Sequence, residues 1–149
     1  MNGPVIALCF AMSLLGSPAR AGEFFEANGV AIGGYDPVPY FKTHQAVQGT
    51  PAYAFSYHGS IFHFANQLDR AVFAANPSAF APQYNGFCTF GVAEGAKVAS
   101  NPKAFRVVDG KLYLQYSDAV SSQFDRDVAG NLRKAEINWP DVQTKQIEH

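Results

Sequence analysis

Two dipeptides constrain this chain more than any other feature, because each interrupts a run of alternating apolar and polar residues. They are His58-Gly59 and Asp109-Gly110. A two-residue turn of such composition folds its flanking strands back as an antiparallel hairpin and fixes their register. At Asp109-Gly110 a type I′ turn sets Val107 opposite Leu112 and Phe105 opposite Leu114, giving one apolar face, with Arg106 and Tyr113 paired on the other. At His58-Gly59 the same logic places Phe55 opposite Phe62 and Tyr53 opposite Phe64, so aromatic rings cluster on one face while Ala54, Ser56, Ile61 and His63 share the reverse.

Helical spacing surrounds these hairpins. Asn66 followed by Asp69 forms a capping box, and Leu68, Ala71, Val72 and Ala75 continue at helical intervals, predicting a helix that packs on the first hairpin. Val30 to Ile32 reads as a short strand that turns at Gly33-Gly34; a helix then starts with Asp36 as N-cap and Pro37 at its first position. Asn76-Pro77 ends the earlier helix and opens a further turn through Phe80. Asn101-Pro102-Lys103-Ala104-Phe105 echoes it, although five residues establish no repeat. A last helix is expected from Asp118 to Lys134, with Gly130 as a break, Trp139-Pro140 closing the fold and a frayed polar tail over 141–149. The expected class is α+β: one small domain, residues 22–140, with two β-hairpins packed by several helices. The chain's 149 residues, 48% of them hydrophobic, suit one core and not two.

The first 21 residues stand apart. An apolar run from Val5 to Leu15 leads through Gly16-Ser17-Pro18 to Ala19-Arg20-Ala21, the pattern of a secretory signal with an Ala-x-Ala cleavage site, although no lysine or arginine precedes the run. The run is too short to span a bilayer, so export to the periplasm or medium as a protein without a membrane span is expected. Cleavage after Ala21 would remove Cys9 and Arg20 and change the formal charge from -1 to -2. With 15% charged residues and no basic stripe, nucleic acid is excluded as a partner.

Cys88 is then the lone cysteine, set in Gln83-Tyr84-Asn85-Gly86-Phe87-Cys88-Thr89-Phe90-Gly91. Gly86 and Gly91 permit tight turns or close backbone approach, so the thiol is the candidate centre of any chemistry, with burial among aromatic rings as its plain alternative. His58 and His63, five apart across a turn, are candidate metal ligands, or else a solvated turn histidine and a strand histidine. No His or Asp adjoins Cys88, no resolving cysteine accompanies it, and no phosphate loop, dinucleotide fingerprint, Gly-x-Ser-x-Gly elbow or His-Glu-x-x-His motif occurs. A thiol enzyme therefore ranks behind a binding protein.

Several motifs in this order carry a resemblance: residues 33–41, Phe64-Ala65-Asn66, Tyr84 to Ala93, Val108 to Leu114, and Asn138-Trp139-Pro140. Over most of residues 29–140 the chain resembles the secreted YHS-domain proteins of bacteria. The wider YHS group is similar to small metal-binding modules in which one cysteine ends a strand after Phe and a second follows four residues later. Ala65 and Asp69 occupy those places here, so a tetrahedral thiolate site of that pattern is absent. The resemblance implies copper or zinc held instead by Cys88, with His63 and His58, or His44, as companions, and with Tyr84 and Asp36 shaping the cofactor site. Two other classes stay open: a module whose aromatic-lined pocket binds a small apolar ligand or a protein, and the thiol or redox enzyme.

Overall fold

The computed structural model describes residues 22–149; the leader expected over 1–21 lies outside them. The chain opens with a small antiparallel pair, β1 (Glu26–Ala27) and β2 (Val30–Ala31), and continues through β3 (Tyr35–Asp36), α1 (Pro39–Lys42) and β4 (Val47–Gln48), which pairs antiparallel with β3. The first hairpin is β5 (Thr50–Tyr57) with β6 (Ser60–Phe64), turning at His58 and Gly59, whose φ values of 49° and 76° are the left-handed pair that a type I′ turn requires. Phe55 faces Phe62, as the turn dictates, and Ala54 faces His63. A bulge then intervenes, so Thr50, not Tyr53, lies opposite Phe64. The extra residues bend β5 and take Tyr53 out of that pairing.

Next come α2 (Gln67–Ala75) and α3 (Pro77–Phe80). Asn66 caps α2, its Oδ1 accepting from the Asp69 amide at 2.8 Å while its Nδ2 donates to Asp69 Oδ2 at 3.2 Å. The helix delivers Phe73 onto the hairpin's aromatic face, with ring centroids 6.0 Å from Phe55, 5.0 Å from Phe62 and 5.1 Å from Phe64. Burying each such ring contributes about 1.5–3 kcal/mol, so this cluster anchors the helix more firmly than its cap does.

After α4 (Thr89–Ala93) and β7 (Lys97–Val98) comes the second hairpin, β8 (Asn101–Val108) with β9 (Lys111–Gln115). Its register agrees with the sequence reading at Phe105–Leu114, Arg106–Tyr113 and Val107–Leu112. Leu112 and Leu114 join Phe24, Ile32, Val38, Tyr40, Phe62, Phe64 and Phe73 in one core. Tyr40 ties the halves together: its ring meets Phe105 at 4.7 Å and its hydroxyl donates to the Pro102 carbonyl at 2.7 Å. Asn101 to Phe105 is therefore strand and Pro77 to Phe80 helix, so the echo between the two segments is not structural.

The final helix is two. α5 (Asp118–Asp125) is capped by Ser117, and α6 (Val128–Val142) by Asp127, whose carboxylate accepts from the Gly130 amide at 2.9 Å. The break thus falls before Gly130, where the cap interrupts the helix. Trp139 and Pro140 lie inside α6, and Val142, fully buried, packs with Val92, Ala93 and Ala135 in a second cluster. The segment expected to fray instead ends in β10 (Ile147–Glu148), parallel to β7. The architecture is a single α+β domain: four antiparallel strand pairs and one parallel pair with six α-helices among the described residues.

Candidate functional site

Cys88 sits where α4 begins, and the glycines on either side explain how it gets there. A Cβ on Gly86 would approach Ile32 Cγ2 to 2.9 Å, and one on Gly91 would meet Val98 Cγ2 at 3.0 Å, so both positions require close approach that a side chain would block. Cys88 donates its amide to the Val98 carbonyl at 2.9 Å. Its Sγ accepts from the amides of Gly91 at 3.4 Å and Tyr116 at 3.3 Å. At 3.6 Å the thiol reaches Gln115 Oε1, which also accepts from the Phe90 amide at 3.0 Å.

Burial pushes the Cys88 pKa up, and the amides of Gly91, Tyr116 and Phe90 only partly offset it. The side chain is 1% exposed and protonated at neutral pH, so it is a donor and not a nucleophile. Above it opens a cavity of about 410 Å³. Phe90, Ala96, Val98 and Val120 give this space apolar walls, with Tyr116 beside them and the exposed Glu94, Glu148 and His149 completing the lining. Such a volume lies within the range of small-molecule pockets.

The other expected site residues lie elsewhere. His58 is exposed at its hairpin turn, its Nδ1 2.9 Å from Glu23 Oε2 and its ring 4.2 Å from that of Tyr57. His63 is half-buried on β6, its Nδ1 3.3 Å from where a Cβ on Gly34 would stand, and His44 is exposed. None of the three lines the Cys88 cavity. Among the described residues no group of three or more His, Cys, Asp or Glu is placed to hold a metal ion. The donor set suggested for copper or zinc, Cys88 with His63 and His58, is thus not assembled, and the residues do not fit such a centre.

Asp36 is wholly buried, and its capping role differs from expectation. The helix starts at Pro39, not Pro37; Asp36 Oδ1 accepts from the Val38 amide at 2.9 Å, and Oδ2 reaches across to the Ala65 amide at 2.8 Å. Desolvation, the larger effect, and the neighbouring Asp69 raise its pKa to about 6 despite those amides. Asp36 therefore joins β3 to the end of the first hairpin and touches no cavity described here.

Tyr84 lies on a separate surface, between Tyr113 at 6.2 Å and Trp139 at 5.6 Å, and burial together with Tyr113 and Glu136 pushes its hydroxyl up to about 12. The residues that sequence reasoning missed are Gln115, Val98, Val120 and the 148–149 segment. Only Gln115 left a signal, as a polar residue that continues an apolar strand.

Fold and cavity define a class: a small α+β domain with an open, largely apolar pocket over a protonated thiol. Among known proteins, no family model matches the chain, nor does any curated protein or any solved structure.

Proposed function

We propose that the chain is an exported, YHS-like binding module, not an enzyme, and that it holds a small, uncharged, apolar molecule in the cavity over Cys88. One observation carries the reading: a cavity of about 410 Å³ with apolar walls ends on a thiol that burial keeps neutral. Glu94 and Glu148 at the cavity disfavour an anion, and the S–H group, turned to Gln115 Oε1, leaves the floor of the cavity neutral and without a free charge. Copper or zinc is less well supported, because a metal would have to draw a proton from a raised thiol without a converging set of donors. The YHS resemblance rests on the sequence motifs and supports export and binding only as far as they do. No helix among the described residues is long and apolar enough to cross a membrane.

Titration with N-phenyl-1-naphthylamine, an uncharged apolar fluorophore, tests the proposal. Saturable binding is expected, indifferent to chelator, retained in Cys88→Ala and weakened at least tenfold in Val120→Trp, which fills the cavity. Absence of saturable binding overturns it. So does near-stoichiometric copper or zinc that disappears in Cys88→Ala, which would restore the metal reading.

A further inference from the structure

The geometry points to a second ligand site, a groove beside Trp139 suited to a neutral sugar ring. Two cavities of about 290 and 370 Å³ share Glu23, Asn85, Trp139 and Gln143, and so form one groove. Neither shares a lining residue with the Cys88 cavity, which makes this site independent of the function proposed above.

The backbone under the groove is the first argument. Tyr84 and Asn85 both adopt left-handed conformations, with φ of 51° and 52°, and Gly86 follows at 76°. Glycine and asparagine accept this region readily; a tyrosine there costs on the order of 1 kcal/mol or more. The surroundings hold the run in place. The Phe25 amide donates to the Asn85 carbonyl at 2.8 Å, the Phe87 amide to the Tyr84 carbonyl at 3.1 Å, and Ser100 Oγ to the Gly86 carbonyl at 2.6 Å. Strain fixed so firmly sets Tyr84 and Asn85 along the groove before any ligand arrives.

The side chains then select the chemistry. Tyr84 and Trp139 supply aromatic surface, Asn85, Gln83 and Gln143 supply amide donors and acceptors, and Glu23 supplies a carboxylate. Lys97 and His58 are the basic groups of the groove, and both are engaged: Lys97 Nζ donates to the Gln143 carbonyl at 3.1 Å and lies 4.6 Å from the Phe87 ring centroid, while His58 Nδ1 lies 2.9 Å from Glu23 Oε2, leaving no dedicated anion site. The Trp139 ring, standing at 66° to that of Tyr84 and set among amides and a carboxylate, matches a pyranose, whose C–H faces are apolar and whose rim is hydroxyl.

Trp139 is the chain's only tryptophan, so its fluorescence reports on the groove directly. The test titrates the protein with glucose, N-acetylglucosamine and maltose. A saturable change is expected with at least one, weakened about tenfold by Gln143→Ala and by Asn85→Gly, each the loss of one or two hydrogen bonds, and unaltered by Cys88→Ala. Gly suits the left-handed backbone at position 85, and Gln143 is exposed, so both variants keep the fold. The inference is overturned if no sugar gives saturation up to about 50 mM, beyond which specific recognition of a small ligand has little meaning. Saturation indifferent to both groove variants overturns it equally.

Discussion

Asp36 makes stability depend on pH in an unusual direction. Its pKa rises from 3.8 unfolded to about 6 folded, first through desolvation and then through Asp69, which shares the buried site. The folded state therefore binds this proton more tightly than the unfolded chain does. The group's contribution is fully present below pH 3.8 and is lost as pH rises through about 6. A difference of about two units at 1.36 kcal/mol each amounts to about 3 kcal/mol. Asp125, whose pKa is held down by the hydrogen bond from Arg106, acts with the opposite sign, losing stability as pH falls, so the total curve mixes the two. Asp36→Asn isolates the effect. An amide can accept from only one of the Val38 and Ala65 amides and turns its NH2 toward the other, which strands a buried donor at a cost of about 1–3 kcal/mol. The variant should thus be clearly less stable than the parent at pH 4, with the gap shrinking or reversing by pH 7. Urea unfolding followed by Trp139 fluorescence at pH 4, 5, 6 and 7 measures both proteins without adding salt. A gap that stays constant within about 0.5 kcal/mol across that range would refute the assigned titration.

Phe73→Ala should cost about 3–5 kcal/mol in the same unfolding assay, because its ring is fully buried among Phe55, Phe62 and Phe64. Gly91→Ala should cost about 1–3 kcal/mol and reduce fluorophore binding, since the added Cβ lands 3.0 Å from Val98 at the cavity wall. Arg106→Ala should change stability by less than about 1 kcal/mol despite a 2.6 Å contact with Asp125, because the pair is exposed to solvent; a larger loss would show that the guanidinium does more than pair on the surface.

Turn chemistry made the register next to each hairpin turn legible, and the Asn66 cap was legible for the same local reason. The bulge that displaces Tyr53 was not, because no residue in β5 demands it. Nor was the break before α6: Asp127 is one of several carboxylates in that stretch, and only the fold selects it as a cap. Pro140 read as a terminator, yet it sits in α6 on an exposed turn, where a missing amide bond costs less than in a buried one. Gln115 and Tyr113 occupy what alternation assigns to the open face of the second hairpin. That face is covered by α4 and α5, which buries both. At the site, the two glycines gave away Cys88, but the cavity above it is built from α4, β7, α5 and the 148–149 segment, and spacing along the chain cannot show such convergence.

The covered thiol has a chemical consequence over time. Oxidation, mixed-disulfide formation and metal-catalysed damage all begin with an accessible thiolate, and Cys88 offers neither the charge nor the access. In an oxidising medium the side chain should outlast exposed thiols by remaining the slow partner in every exchange, so the protein ages as a reduced species whose cavity keeps the same floor.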